Sequence, residues 1–459
     1  MATGYRTHDH NGVPNPLARL SDEELEQIGK EFDELHEEVK ADLGDRDARY
    51  IRGIIALQRR LALIGRAELF ASRFWPAWWL GMSTLSVAKI LENMEIGHNV
   101  MHGQWDWMND PVINSQVWDW DTASTKEAWK HSHNYIHHTY TNILGKDKDL
   151  GYEIMRIDSH QKWHPVYLLQ PIYNVLLMLL FEWGVAVHDI DLEAIRAGEK
   201  SQKEVLKDLK GIAGKGRLQI QKDYIAWPLL SAGISTAVRA GVDALVNRGR
   251  SRPRRAVGAL QDRLPLPGRG PKEQARFNAL EAFRETYLAT VKANAWANVV
   301  RNVWSNAIIF CGHFPDQTYV FTEDEVRDEQ PGGRYVRQLI GAANINGSPM
   351  FHIMSGNLGY QVEHHLYPDM PSSRYGEIAP RVREICKKYG LPYNTGPFSK
   401  QWGTVQRTIL RLAFPGGKPR PKPGPWEGET FISQGERELY EAAEASRERE
   451  REAAEAAAN

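Results

Sequence analysis

The chemistry available to this 459-residue chain lies in its histidines, because they recur at fixed offsets. His98 and His102 stand four apart in HNVMH. His133 and His137 repeat that spacing in HNYIHH, with His138 beside them. His364 and His365 close QVEHH, where Gln361 stands one turn earlier, and His313 ends an apolar stretch just before PDQ. On a helix, residues four apart leave from one face. Each cluster therefore offers a pair of imidazoles aimed in one direction.

A neutral imidazole needs partners for both ring nitrogens, and eight of them in apolar surroundings are hard to satisfy without a metal. One i, i+4 pair alone is more often structural; three clusters in one chain favour the metal. Structural zinc takes about four ligands and catalytic zinc about three plus water. Eight histidines exceed one zinc site and suit two metals of higher coordination number. Imidazole selects iron, copper, nickel or zinc over magnesium and calcium, and two irons with open positions suit dioxygen chemistry. Neutral ligands leave such a pair highly charged, so carboxylates behind them should help. Glu95, Asp106, Asp147, Asp149 and Glu363 lie nearest in sequence. Each alone reads more simply as a structural or surface charge, with Glu363, wedged beside two ligands, the exception.

A carboxylate-bridged soluble di-iron design needs two Glu-x-x-His motifs on separate helices. Only Glu95 before His98 fits, so that design fails. The other histidines take the structural reading: His8, His10, His36, His160 and His164 in polar or interfacial segments, His131 and His352 near the clusters, and His188 at the end of an apolar run.

The elements that must position these clusters read as helices. Ser21 and Glu24 form a capping box that opens a polar, acidic helix over residues 20 to 50. Phe74 to Ala88 carries no charge and extends toward Ile96, long enough to cross a bilayer. Residues 51 to 72 are interrupted by Arg59, Arg60, Arg66 and Glu68 and read as a poor span or an interfacial helix. Trp163 to Phe181 is the best single transmembrane candidate, although Pro165 and Pro171 would shorten or kink it. Tyr224 to Val238 and residues 295 to 314 are further candidates. The clusters must face one compartment, so an even number of crossings separates His138 from His364, and at most two of the three apolar candidates between them can cross. Residues 247 to 276 form a basic, Pro/Gly-punctuated insertion, read as a solvated loop or a contact for anionic headgroups. From Gly416 the tail is Pro/Gly-rich and then charged. The domain reading is a polar helical extension over 1–50, a membrane enzyme domain over 51–415 and a charged tail over 416–459.

Composition narrows the function classes. A net charge of −1 gives no basic field for nucleic acid. Cys311 and Cys386 are the only cysteines, which excludes a disulfide framework, a cysteine zinc site and an iron–sulfur cluster. The 15 tryptophans suit membrane interfaces. A mean hydropathy of −0.50 points the other way, and the polar ends account for only part of it. The N-terminus opens on polar MATGYRTHDHNG, without a signal pattern. No Gly-x-Gly-x-x-Gly fingerprint is present, so electrons must come from outside.

The three boxes HNVMH, HNYIHH and QVEHHLYPDMP resemble those of the membrane fatty acid desaturases. The flanking text, NMEIGHNVMHGQWDWMNDP, WKHSHNYIHHTYTNILGKDKDLGY, CGHFPDQ and SGNLGYQVEHHLYPDMPSSRY, is similar to the actinobacterial acyl-CoA Δ9 branch over about residues 46 to 415. The resemblance implies an all-α integral membrane bundle of about four transmembrane helices, with a cytosolic helical cap holding two iron ions. It implies that His98, His102, His133, His137, His138, His364 and His365 are ligands, that His313 matches the extra histidine after the last membrane helix, and that Gln361 stands where relatives carry histidine. It implies O2 as co-substrate, a fatty acyl substrate carried on CoA or a lipid, membrane lipids as surroundings, an external electron donor such as a ferredoxin or flavin reductase, and a cell-membrane location with the site facing the cytosol. An acyl-lipid desaturase of other regiospecificity, a hydroxylase on the same scaffold and a soluble zinc-binding protein are the alternatives. The insertion and the weak first membrane helix depart from the family pattern.

Overall fold

The computed structural model describes residues 14–250, 278–315, 317–416 and 422–427. His8, His10, most of the basic insertion and most of the C-terminal tail fall outside the described residues. The described chain is almost wholly helical, and its residues cluster into two compact units.

The larger unit comprises residues up to Gln58, Lys89–Gly216 and the chain from Val299 onward. Helix α1 (Asp22–Ala41) opens on the expected capping box: Ser21 Oγ accepts from the Glu24 amide, and Glu24 accepts from the Ser21 amide. Its apolar stripe, Leu25, Ile28, Phe32 and Leu35, is buried in a core with Val336, Leu339, Val382 and Ile385. The acidic N-terminal helix is thus half of a core. Its partners are α10 (Pro331–Ile340) and α13 (Tyr375–Tyr389). A two-stranded parallel ribbon, β1 (Asn344–Asn346) with β2 (Thr395–Pro397), ties α10 to the C-terminal helix α14 (Phe398–Leu412).

The smaller unit comprises Arg59–Ala88 and Arg217–Asn298. It is built from the end of α2 (Asp45–Glu68), most of α3 (Trp75–Leu91), α8 (Trp227–Arg250) and the first half of α9 (Ala279–His313). Many of its large apolar side chains face outward, and inside it an apolar cluster of Leu69, Met82, Leu85, Ala293 and Ala297 lies beside buried polar groups. Phe74, Trp75, Trp79, Leu230, Val238 and Trp296 are exposed. Inside lie Ser72, Ser231 and Thr290, joined hydroxyl to hydroxyl, and Asp223, which pairs with Arg66 at 3.1 Å. Polar groups inside and apolar groups outside are what a lipid surrounding selects.

Among the described residues, only the continuous helical stretch Gln202–Leu245, which joins α7 (Gln202–Gln219) to α8, is long and apolar enough by itself to cross a membrane. The Trp163–Phe181 stretch is not one straight span. Residues Pro165–Leu179, which contain α5 (Gln170–Leu179), turn by 104° at Leu180 into α6 (Phe181–His188). The prolines sit in the first turns, where a missing N–H costs nothing. The break comes instead at Leu180, whose ψ of 28° leaves the helix. The apolar run 295–314 is the second half of α9, whose 35 residues extend about 52 Å. That exceeds the hydrocarbon thickness of a bilayer, so part of α9 must lie outside any membrane.

Candidate metal centre

The first two boxes do not sit on regular α-helix. Beyond α3 the backbone widens into a π-helical segment, Glu92–His98, before Asn99–Met101. Helix α4 (Lys126–Trp129) widens in the same way over Lys130–His137. Such bulges concentrate at functional sites because they re-aim side chains without ending the helix. The four-residue pairs still share a face: ring centres are 4.6 Å apart for His98 and His102 and 5.0 Å apart for His133 and His137. The third box forms the short α12 (Gln361–Leu366), anchored where Asn344 Oδ1 accepts from the Val362 amide. His313 ends α9.

These four elements bring all eight histidines into one cluster. His98 lies 5.1 Å from His364, His102 4.7 Å from His138, His137 4.7 Å from His313, and His138 4.5 Å from His365, ring centre to ring centre. The ligand atoms fall into two foci. His98, His102, His133 and His364 can meet one ion; His137, His313 and His365 can meet a second, with His138 beside His364 and His365 between them. In each set the ligand atoms lie within 4.8 Å of one another.

Five of the eight Nδ1 atoms are held from behind, while that of His138 is buried without a partner. Asn99 takes Nδ1 of His98 at 3.0 Å, Asp149 that of His133 at 3.1 Å, Asp147 that of His137 at 3.0 Å, Tyr375 that of His364 at 3.1 Å and Gln338 that of His365 at 3.0 Å. The inward Nε2 atoms of His102, His133, His137, His138 and His364 are buried without a hydrogen-bond partner. Nothing in the fold itself rewards that arrangement, since each orphaned buried acceptor costs about 1–3 kcal/mol. A metal repays it. Burial, with neighbouring imidazoles adding to it, holds His102, His138, His364 and His365 well below the usual histidine range, so they keep the neutral form a metal requires. Burial also pushes His137 down, but Asp147 and Asp149 outweigh it and bring it to about 8.

Asp147 and Asp149 stand behind ligands, and Glu95 reaches His98 through the side chain of Asn99. Two other carboxylates are engaged elsewhere: Asp106 accepts from the amide and hydroxyl of Ser115, and Glu363 accepts from Tyr393 and Asn344. Gln361 faces the second focus, its amide 3.0 Å from Nε2 of His313 and its Oε1 unpartnered. Sequence reasoning missed Asn99, Gln338 and Tyr375 as partners. Tyr375 was within reach, being ten residues past the third box; no spacing signalled Gln338. His188, expected to be a helix-end histidine, contacts Asp149 at 3.0 Å. His352 is buried against Tyr360, and His131 is exposed.

A cleft opens on His98 and His133. Its walls are mainly apolar, with Met94, Trp120, Trp129 and Phe181 among them. The arrangement sets a two-focus nitrogen site against a channel suited to a hydrocarbon.

The family model described as fatty acid desaturase matches residues 73–238 and 255–397. The NADPH-dependent stearoyl-CoA 9-desaturase of Mycobacterium tuberculosis, in strains CDC 1551 / Oshkosh and H37Rv, is 42% identical over 399 residues, 87% of this chain and 82% of the relative. The sn-1 linoleoyl-lipid 6-desaturase of Synechocystis is 24% identical over 343 residues, 72% of this chain and 79% of that protein. No solved structure matches. With its histidine clusters gathered beside an apolar cleft, and with a family model and a relative that both cover most of its length, the chain belongs to the fatty acid desaturase family.

Proposed function

We propose that this chain is an oxygen-dependent di-iron desaturase that places a Δ9 double bond in a saturated acyl-CoA of stearoyl type. The observation that carries the reading is the set of orphaned Nε2 atoms at the two foci, with the rings of His133, His137 and His364 also held from behind at Nδ1. Eight imidazoles supply nitrogen donors without a bridging carboxylate. His98, His102, His133 and His364 hold one iron; His137, His313 and His365 hold the other, with His138 between them and Gln361 at the second focus. Bound there, two irons supply the dioxygen chemistry that takes one hydrogen from each of two adjacent methylenes. The chain's own part is orientation. Methylenes are chemically alike, so only the geometry of the cleft beside His98 and His133 selects a bond. Electrons come from an external donor, a ferredoxin or a flavin reductase; the M. tuberculosis relative is NADPH-dependent by name.

The smaller unit is the membrane base in this reading. Its four helical segments, with exposed apolar side chains and buried polar groups, form two hairpins, α2 with α3 and α8 with α9. Two crossings then separate the second box from the third, as one shared compartment requires, and the bent pair α5–α6 lies at the interface. The site faces the cytosol of a cell-membrane enzyme.

The test is expression in cells of known saturated lipid content, followed by mass spectrometry to locate any new double bond. A Δ9 product, lost in His137→Ala and His364→Ala, supports the reading. Added oxygen in the product assigns a hydroxylase instead. A zinc-loaded chain that needs no detergent removes the enzyme reading altogether.

A further inference from the structure

The wall of the cleft away from the histidines is closed by charge. Arg301 and Glu182 form an ion pair there, their side chains 2% and 4% exposed. Arg301 also donates to Asn302 Oδ1 at 3.0 Å and to the Asp121 carbonyl at 3.2 Å, and Asn302 donates to the Leu179 carbonyl at 3.0 Å. Beside the pair, Asn93 donates to Ser305 Oγ at 2.9 Å. Arg301, Ser305, Ile309 and His313 recur every fourth residue on α9, and the first three line the cleft. The stripe runs about 18 Å along the helix from the ion pair to the proposed ligand.

A buried ion pair is weak evidence for stability, because desolvation offsets the attraction. Its use here is positional. A methyl group pressed against this wall must either break the pair or strip its hydrogen bonds, and gains nothing in return. The end of the channel that takes the CoA head must be open to water and offer free cationic charge. Arg301 is buried and neutralised by Glu182, so this wall offers a CoA head no free cation.

We propose that the Arg301–Glu182 pair, with Asn302, Asn93 and Ser305, is the floor of the acyl channel and sets the longest chain accepted beyond the reacting carbons. The inference rests on the acyl desaturase reading. α6 turns sharply at Leu180 because it must deliver Glu182 to this floor. Substituting Arg301 and Glu182 together removes the wall without leaving a lone buried charge.

The test uses the full chain in membranes, supplied with palmitoyl-, stearoyl- and arachidoyl-CoA in competition. If wild type forms no unsaturated product from any of the three, the desaturase reading fails, separately from the floor. If it does, the Arg301→Ala/Glu182→Ala double variant should raise kcat/KM for the twenty-carbon substrate relative to the eighteen-carbon one by about tenfold or more, the scale of methylene discrimination in a pocket. The double-bond position should stay fixed. Ser305→Val and Ser305→Phe, which narrow the floor from a milder starting point, should shift preference in graded fashion toward the sixteen-carbon substrate. Should the double variant fail to fold, the Ser305 pair decides. Chain-length ratios within twofold of wild type in the active variants overturn the proposal.

Discussion

Both carboxylate oxygens of Asp147 approach Nδ1 of His137, at 3.0 and 3.1 Å, while the same carboxylate accepts from the Asn142 amide at 2.8 Å. The carboxylate fixes the tautomer and direction of the ring and is itself fixed by the turn that follows the second box. Asp147→Asn should lower metal affinity about 10- to 100-fold, the usual effect of removing such a partner. Metal titration of the purified variant checks this; unchanged affinity would make Asp147 a loop residue only.

The Tyr375 hydroxyl joins three groups: it meets Nδ1 of His364, accepts from Gln104 Nε2 at 2.9 Å and donates to the Tyr367 carbonyl at 3.2 Å. Tyr375→Phe leaves these buried groups short of a partner and should cost about 1–3 kcal/mol of stability. The loss should be accompanied by altered spectra of the bound metal, which a purely structural tyrosine would not produce. Thermal unfolding and metal spectroscopy on one preparation separate the two effects.

Asp189 is buried and accepts from the hydroxyls of Ser124 and Ser132, with His188 next to it in the chain. Burial pushes its carboxyl up to about 6 from an ordinary 3.8, against those hydrogen bonds. A raised acid contributes its stability below the unfolded value and loses it as pH rises through the folded one. Above pH 6 the buried charge costs about 3 kcal/mol. The melting temperature of wild type should therefore fall relative to that of Asp189→Asn between pH 4 and 7. Parallel curves would contradict the assignment.

Gly332 lies at the start of α10 under α1, and a Cβ there would stand 1.8 Å from the Leu25 carbonyl oxygen. Backbone cannot yield as a flexible side chain does. Gly332→Ala should pry α1 from the core and cost about 3 kcal/mol or more, seen as early proteolysis within residues 22–41. Wild-type resistance would mean that α1 contributes little.

The ligands were legible because their spacing is local. Four-residue pairs survive even on widened π-helical turns, so HNVMH and HNYIHH could be read without knowing the backbone. The carboxylates were harder. Glu363 stands beside two histidines in sequence, yet a helix sends neighbouring side chains in different directions, and it meets Tyr393 and Asn344 instead. Asp147 and Asp149 meet His137 and His133 because the chain doubles back after the box, which no periodicity announces. The Trp163–Phe181 run reads as a straight span because hydropathy is blind to the turn at Leu180, which makes it a bent pair of helices. The low mean hydropathy has a related origin: half of α9 and all of α1 belong to the larger unit, and the smaller unit buries polar groups such as Asp223 and Thr290.

The central claim is that eight imidazoles hold two irons. Its most direct measurement is metal content of the detergent-purified full chain, read with the Mössbauer spectrum of protein grown on iron-57. Two irons per chain are expected, both nitrogen-ligated, with His138→Ala, which removes the histidine standing between the foci, losing occupancy of both. One metal per chain, or stoichiometric zinc with iron-independent folding, would contradict it.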